Sequence, residues 1–127
     1  MTTRRGEPRR VLVVDDDPDI LDALAEILEV EGYEVRRARN GREALQQLEQ
    51  GVPDLVLLDL MMPVMDGWEF ARSLDPRARP PIIVLSADRN VSVKAGEIGA
   101  LGWLAKPFEL AELLQAVRRA VPDGKPS

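Results

Sequence analysis

The sequence predicts an α/β domain in which helices cover both faces of a parallel β-sheet. Three runs of consecutive apolar residues support this fold class, at residues 11–14, 55–58 and 82–85. Such runs lack the alternation of half-exposed strands and are typical of strands buried on both faces. Segments with helical spacing separate the runs, and this alternation indicates β-α-β units in one sheet. A length of 127 residues suits a single domain with a buried core.

Capping and turn signals indicate where the elements begin and end. Asp17 is the expected N-cap of the first helix and Pro18 its first residue, because proline is tolerated in the first helical turn. Gly32 is expected to end that helix. Gly96 and Gly99 lower the helix propensity of the fourth helix. The predicted elements are strand 11–14, helix 18–31, strand 33–38, helix 41–51, strand 55–58, helix 68–74, strand 82–85, helix 90–100, strand 102–105 and helix 108–121. The predicted apolar face of the last helix contains Leu110, Leu113, Leu114 and Val117.

The composition excludes several classes of site. The chain has no cysteine and no histidine, which excludes zinc sites of the usual Cys/His kind, disulfides and Cys or His nucleophiles. The net charge of −5 argues against direct binding of nucleic acid. No apolar run approaches the roughly 18 residues that span a bilayer, and we expect a cytoplasmic protein without membrane contact. Residues 1–9 are expected to form a disordered basic arm, and residues 122–127 a tail or a cut linker.

Polar residues follow four of the predicted strands. They are Asp15-Asp16, Asp59, Ser86 and Lys106. The carboxyl ends of parallel strands lie at one edge of a sheet, where open α/β sheets bind their ligands. These residues should therefore lie close together. Three carboxylates in one cleft repel each other, and a hard cation with oxygen ligands, such as Mg²⁺, would relieve that repulsion.

The charges of this cluster indicate phosphoryl transfer. Three aspartates (−3) and Lys106 (+1) sum to −2, which one Mg²⁺ neutralises. Asp59 would then be the nucleophile that forms an acyl phosphate, with Ser86 and Lys106 contacting the phosphoryl oxygens. Each residue alone has a simpler interpretation, as a helix cap, a turn residue or a surface lysine. Their joint placement at successive strand ends favours the chemical interpretation.

Four motifs of the chain share a known pattern: Val14-Asp15-Asp16, Asp59 to Pro63 with Asp66-Gly67, Ser86-Ala87 and Lys106-Pro107-Phe108. With these motifs the chain resembles the receiver domain of response regulators in two-component signalling. The resemblance covers residues 10–121. It implies a flavodoxin-like fold, with a five-stranded parallel sheet in the order 2-1-3-4-5 and five flanking helices. It also implies a cis Lys106–Pro107 peptide bond.

The resemblance further implies roles for the site residues. Asp59 would accept a phosphoryl group from a phosphohistidine on a sensor histidine kinase or a histidine phosphotransfer protein. Mg²⁺ would be held by Asp16, Asp59 and the backbone carbonyl of Met61, with Asp15 acting mainly through water. The domain would be a signalling switch rather than an enzyme, catalysing only its own phosphotransfer and slow dephosphorylation.

Trp103 stands where receiver domains usually carry tyrosine or phenylalanine, the aromatic residue that turns inward on phosphorylation together with the hydroxyl residue, here Ser86. We consider three interpretations of Trp103: a modified switch, an outward contact for a partner, or a side chain packed under the last helix. The surface of the fourth helix, fifth strand and fifth helix is the usual output face and a candidate homodimer interface. Trp68 is expected at the rim of the site.

Two other functions compete with phosphoryl acceptance. One is a receiver domain that only binds partners, independently of phosphorylation. The other is an aspartate-nucleophile phosphatase of the haloacid-dehalogenase type, whose Asp-x-Asp motif Asp15-x-Asp17 matches. Against the phosphatase, position 19 is an aspartate where that family has threonine or valine, there is no room for a cap domain, and the motif at Asp59 would have no role.

Overall fold

The structure, a computed structural model, describes residues 9–60, 67–74 and 79–121, without the side chains of residues 67 and 68. Within these residues, five strands alternate with five helices, as predicted. The strands are β1 (Arg10–Val14), β2 (Glu34–Ala38), β3 (Leu55–Asp59), β4 (Ile82–Ser86) and β5 (Gly102–Ala105). The helices are α1 (Pro18–Val30), α2 (Gly41–Gln50), α3 (Gly67–Arg72), α4 (Val91–Ile98) and α5 (Leu110–Ala120).

Several sequence predictions fall outside the described residues. They are the arm up to residue 8, the tail at 122–127, the Met61 carbonyl, Pro63, Asp66 and the side chain of Trp68.

The five strands form one parallel sheet in the order β2-β1-β3-β4-β5, which confirms the predicted fold class and strand order. The register aligns the carboxyl ends of the inner strands. Val14 pairs with Leu58, and Asp59 pairs with Leu85. The residues that follow these positions therefore emerge side by side at one edge of the sheet.

The core consists of two clusters, one on each face of the sheet. Alternate residues of the strands supply them, because successive side chains of a strand point to opposite faces. Leu12 and Leu58 pack with Phe70 on the face covered by α2, α3 and α4. Val13 and Leu57 pack on the other face with residues of α1 and α5. This packing fixes the sheet and with it the positions of the strand ends.

The cap of helix α1 is formed as predicted. The side chain of Asp17 accepts hydrogen bonds from the N–H groups of Asp19 at 2.9 Å and Ile20 at 3.4 Å. Pro18 is the first helical residue, and Gly32 follows the helix with a φ of 98°. A positive φ suits glycine because it has no Cβ.

The C-terminal end of helix α4 is held by an arginine from outside the helix. Arg79 donates from Nη2 to the carbonyl oxygens of Ile98 at 2.5 Å and Gly99 at 2.9 Å. Helix α4 has no basic residue of its own in the last turn. Arg79 therefore supplies the positive charge that stabilises the negative end of the helix dipole.

We expect Gly99→Ala to lower the free energy of unfolding by about 1–2 kcal/mol, because Gly99 has a φ of 79°. A Cβ there would also lie 2.6 Å from Arg79 Nη2 and displace the guanidinium from the carbonyls. Gly96→Ala is the matched control within the same helix. Apart from its chain neighbours and the backbone of its own helix, its Cβ would have no heavy atom within 4 Å, and we expect a gain of about 0.5–1 kcal/mol. Urea unfolding measures both changes, and equal effects of the two substitutions would contradict this account of Gly99.

Candidate functional site

The predicted site residues meet at the carboxyl edge of the sheet. Asp15 directly follows β1, and Asp59 and Ser86 are the last residues of β3 and β4. The N–H of Lys106, directly after β5, donates to the Ser86 carbonyl at 2.8 Å and so extends the β4–β5 ladder. In the part of the chain that the structure describes, the buried polar and charged side chains are those of Asp15, Asp59 and Ser86. Buried carboxylates are costly unless they are compensated, so this edge is chemically distinct from the rest of the core.

A carboxylate cluster lies around the ammonium group of Lys106. Asp15, Asp16 and Asp59 each place one carboxylate oxygen within 4.8 Å of the others. Lys106 Nζ lies 3.1 Å from Asp15 Oδ2 and 3.5 Å from Asp59 Oδ2. Lys106 therefore bridges the two buried carboxylates, and Asp16 completes the cluster from the solvent side.

The pKa of Lys106 is raised within this cluster. Burial alone lowers it, since desolvation disfavours the charged form. The hydrogen bond to Asp15 and the charges of Asp59 and Asp15 act in the opposite direction and together outweigh burial. Lys106 is therefore a cation at neutral pH, and any stability it gains from its partners is lost only as the pH rises through its raised pKa.

The three consecutive aspartates at the end of β1 have different environments. The N–H of Asp17 donates to Asp15 Oδ1 at 3.0 Å, which holds the loop against the buried carboxylate. Asp17 points to the α1 N-terminus as its cap. The helix-cap interpretation thus applies to Asp17, whereas Asp15 and Asp16 belong to the carboxylate cluster.

The cluster fits a hard divalent cation. Three carboxylate oxygens at this spacing are the ligand type that Mg²⁺ prefers, and no nitrogen or sulfur ligand is among them. The charges of the three aspartates and Lys106 leave the site at −2, which a divalent cation neutralises. The residues present therefore suit Mg²⁺ in kind and in charge.

Ser86 has partners that the sequence reasoning missed. Its Oγ accepts a hydrogen bond from the N–H of Asp88 at 3.1 Å, and the Asp88 carboxylate forms an ion pair with Lys94 of α4. The spacing Ser-x-Asp just before a helix is a signal for a local side-chain turn. The pairing of Asp88 with Lys94 has no comparable sequence signal, because it depends on the direction in which α4 leaves the loop.

The sequence profile of the response regulator receiver domain matches residues 11–118. The chain belongs to this family. It is 41% identical over 117 residues to the transcriptional regulatory protein PdtaR of Mycobacterium tuberculosis, a match that covers 90% of this chain and 57% of that protein. It is 43% identical over 123 residues to the response regulator MprA of Mycolicibacterium vanbaalenii, covering 91% of this chain and 53% of that protein. This receiver domain thus spans about half the length of the curated relatives it matches.

Solved structures agree with this assignment. The chemotaxis protein CheY4 of Vibrio cholerae has a TM-score of 0.82 and 34% identity, covering 90% of this chain and 99% of that one. The response regulator TrrA of Thermotoga maritima, solved in complex with Mg²⁺ and BeF, has a TM-score of 0.80 and 37% identity, covering 89% and 99%. The predictions of a two-component receiver domain and of a flavodoxin-like fold are confirmed. The Lys106–Pro107 peptide bond is cis, also as predicted.

Trp103 of the receiver domain lies on β5 with 48% of its surface exposed. It lines a groove of about 430 Å³ between β5 and α5, together with Leu101, Gln115 and Arg119. Trp103 is therefore only partly packed in this structure. Its role as a switch residue stays a prediction.

A second groove of about 410 Å³ opens beside the receiver site. Its lining includes Ile20 and Leu24 of α1, and Lys106, Pro107 and Phe108 after β5. Of these five residues, Lys106 is charged and the other four are apolar.

Among the described residues, no helix is long and apolar enough to cross a membrane.

Proposed function

We propose that Asp59 accepts a phosphoryl group from a phosphohistidine, in a reaction that requires Mg²⁺, and that the resulting aspartyl phosphate switches the binding of a partner. The observation that carries this proposal is the position of the Asp59 carboxylate. It lies at the end of β3 within 4.8 Å of the Asp15 and Asp16 oxygens and 3.5 Å from Lys106 Nζ. The donor would be a sensor histidine kinase or a histidine phosphotransfer protein, and the domain would act in the cytoplasm as a switch rather than as an enzyme.

The transfer exchanges one bond to phosphorus for another. A carboxylate oxygen of Asp59 forms the new P–O bond while the P–N bond to the donor imidazole breaks. The imidazole leaves with the electron pair of that bond and takes a proton from solvent. Asp59 is thereby converted into an acyl phosphate without any oxidation or reduction.

Lys106 and Ser86 stabilise the phosphoryl group in this proposal. Lys106 already contacts an oxygen of Asp59, so its ammonium group needs only a short movement to reach a phosphoryl oxygen. The Ser86 hydroxyl, on the neighbouring strand β4, donates to a second phosphoryl oxygen. Such fixed donors compensate the charge of the group during transfer.

We propose that Asp16 and Asp59 hold Mg²⁺ directly and that Asp15 acts mainly through water. Both oxygens of Asp15 already have protein partners, since Oδ1 accepts from the Asp17 N–H and Oδ2 from Lys106. Asp16, by contrast, is exposed at the cluster. The Met61 carbonyl remains a predicted further ligand. When bound, Mg²⁺ neutralises charge on the phosphoryl oxygens.

The output of the switch is also part of the proposal. The half-exposed Trp103 would report the phosphorylation state on the surface formed by α4, β5 and α5, either by changing its rotamer or by contacting a partner directly. That surface is also the proposed homodimer interface. The apolar groove at Pro107 and Phe108 lies beside Lys106, and it supports approach of the donor protein from that side.

Of the two alternatives, the phosphatase is not favoured, because Asp17 caps α1 instead of joining the carboxylate cluster. A receiver domain that only binds partners would leave the buried carboxylates and Lys106 without a chemical role. The two remaining functions differ in whether a phosphoryl group is gained.

We expect the protein to gain the mass of one phosphoryl group after incubation with acetyl phosphate or phosphoramidate, whose P–N bond resembles that of phosphohistidine. The gain should require Mg²⁺ and should be absent in Asp59→Asn. Asp54→Asn is the matched control, since Asp54 precedes the opposite end of β3 and an asparagine there can still accept the hydrogen bond from the Arg10 N–H. A gain of mass that persists in Asp59→Asn, or no gain with either donor, would contradict the proposal.

A further inference from the structure

Hydrogen bonds through Asp88 join the Ser86 hydroxyl to the start of helix α4. The Asp88 N–H donates to Ser86 Oγ at 3.1 Å. Its carbonyl oxygen accepts from the Val91 N–H at 3.2 Å. Its carboxylate accepts from the Asn90 N–H at 2.7 Å through Oδ1 and from Lys94 Nζ through Oδ2. Asp88 therefore has the hydroxyl of the site on one side and the first turns of α4 on the other.

The ion pair between Asp88 and Lys94 is the side-chain link in this chain of contacts. Both side chains are partly buried, with 30% and 25% of their surfaces exposed. The hydrogen bonds from Lys94 and from the Asn90 N–H lower the pKa of the Asp88 carboxyl group, so this group is ionised at neutral pH. Asn90 makes no side-chain cap, and Asp88 and Lys94 therefore provide the side-chain hydrogen bonds that the structure shows at this end of α4.

Phosphorylation of Asp59 would compete with the hydrogen bond between the Asp88 N–H and Ser86 Oγ. Ser86 Oγ now accepts from the loop that leads into α4, whereas a phosphoryl group on Asp59 would draw the hydroxyl towards β3. The Ser86 oxygen can move towards β3 only if it leaves the Asp88 N–H or if the loop follows it. In the first case a hydrogen bond is lost, and in the second the Asp88–Lys94 pair must shift with the loop. In both cases the pair opposes the movement, because it holds the Asp88 N–H in place in the first and must itself shift in the second.

We propose that Asp88, held by Lys94, is a positioning residue that keeps the Ser86 oxygen at the loop before α4 and so raises the free-energy cost of reaching the phosphorylated state. This inference rests on the proposed function and adds a regulatory contact to it. A ligand shifts a two-state equilibrium only by its differential affinity for the states. Removing a contact made in the resting state therefore raises the apparent affinity for a phosphoryl mimic. For a partly exposed ion pair, the expected change is about two- to fivefold.

The test is to titrate the whole chain with beryllofluoride in the presence of Mg²⁺ and to measure the affinity by calorimetry. We expect Lys94→Gln to bind about two- to fivefold more tightly than the wild type, and Lys94→Arg, which keeps the ion pair, to bind as the wild type does. Arg89→Gln is the matched control, because it removes one positive charge from an exposed position in the same loop. It should leave the affinity unchanged.

Repeating the titration with Ser86→Ala distinguishes an effect of the ion pair on the Ser86 hydroxyl from a general stabilisation of α4. If the pair acts through the Ser86 hydroxyl, Lys94→Gln should no longer change the affinity when Ser86 is alanine. An unchanged or weaker affinity of Lys94→Gln in the wild-type background, or an equal gain in the Ser86→Ala background, would overturn the inference. Failure of the wild type to bind beryllofluoride would instead remove the proposed function, and the inference with it.

Discussion

Lys106→Met is expected to slow phosphorylation by acetyl phosphate by about 100-fold, because removing one fixed donor to a developing charge costs a factor of about 10²–10³. The same substitution should tighten Mg²⁺ binding. Lys106 Nζ lies 3.1 Å from Asp15 and 3.5 Å from Asp59, so it competes with a divalent cation for the same carboxylates. Two unit charges about 4 Å apart interact by about 1 kcal/mol even in bulk water and more strongly near a protein surface, so we expect a gain in Mg²⁺ affinity of about fivefold or more.

Calorimetry measures the Mg²⁺ affinity of this variant, and intact mass against time measures its rate of phosphorylation. Lys106→Arg is the control that retains the positive charge and should show a smaller loss of rate with little gain in Mg²⁺ affinity. Opposite signs of the two effects are the signature of a cation that both balances the carboxylates and contacts the phosphoryl group. Loss of Mg²⁺ affinity in Lys106→Met would contradict this description of the site.

Asp15→Asn should weaken Mg²⁺ binding by about tenfold, the opposite direction to Lys106→Met. The carboxylate of Asp15 is fully buried, and its loss changes the charge of the site from −2 to −1. The neutral asparagine also no longer balances Lys106, whose positive charge then opposes the cation more strongly. Phosphorylation at limiting Mg²⁺ should fall in proportion.

Asp17→Asn is the control for this prediction, because it removes a neighbouring carboxylate that lies outside the cluster and asparagine is as good an N-cap as aspartate. Its Mg²⁺ affinity should stay within about twofold of the wild type. Equal losses in the two variants would mean that Mg²⁺ responds to the general negative charge of this loop and not to the Asp15 carboxylate.

The site could be predicted from sequence because it follows from topology. Asp59 and Ser86 come at the ends of apolar runs, and the parallel sheet brings all such ends to one edge. The charges and positions of the cluster suggested roles for Asp59, Ser86 and Lys106, and the motifs added the phosphohistidine donor and the Met61 ligand. Asp17 shows how far local signals reach, since the proline that follows it marked it as the helix cap and left Asp15 and Asp16 for the cluster, as the structure confirms.

Contacts and exposures that depend on how loops and helices are oriented in the folded chain could not be predicted from the sequence. Leu110 was predicted on the same apolar face as Leu113, yet it is the first residue of α5 and 46% of its surface is exposed. Arg79 caps a helix that begins 12 residues later along the chain, and no local pattern indicates such a contact. Lys94 reaches Asp88 for a similar reason, since the path of the loop decides which face of α4 is near.

The most direct test of phosphoryl acceptance is to locate the modified residue. Borohydride reduces an aspartyl phosphate to homoserine, so the protein would be treated with acetyl phosphate and Mg²⁺, reduced and digested, and its peptides sequenced by mass spectrometry. We expect homoserine at position 59, and none when Mg²⁺ is omitted. Homoserine at Asp15 or Asp16 instead, or at no position, would contradict the assignment of Asp59 as the phosphoryl acceptor.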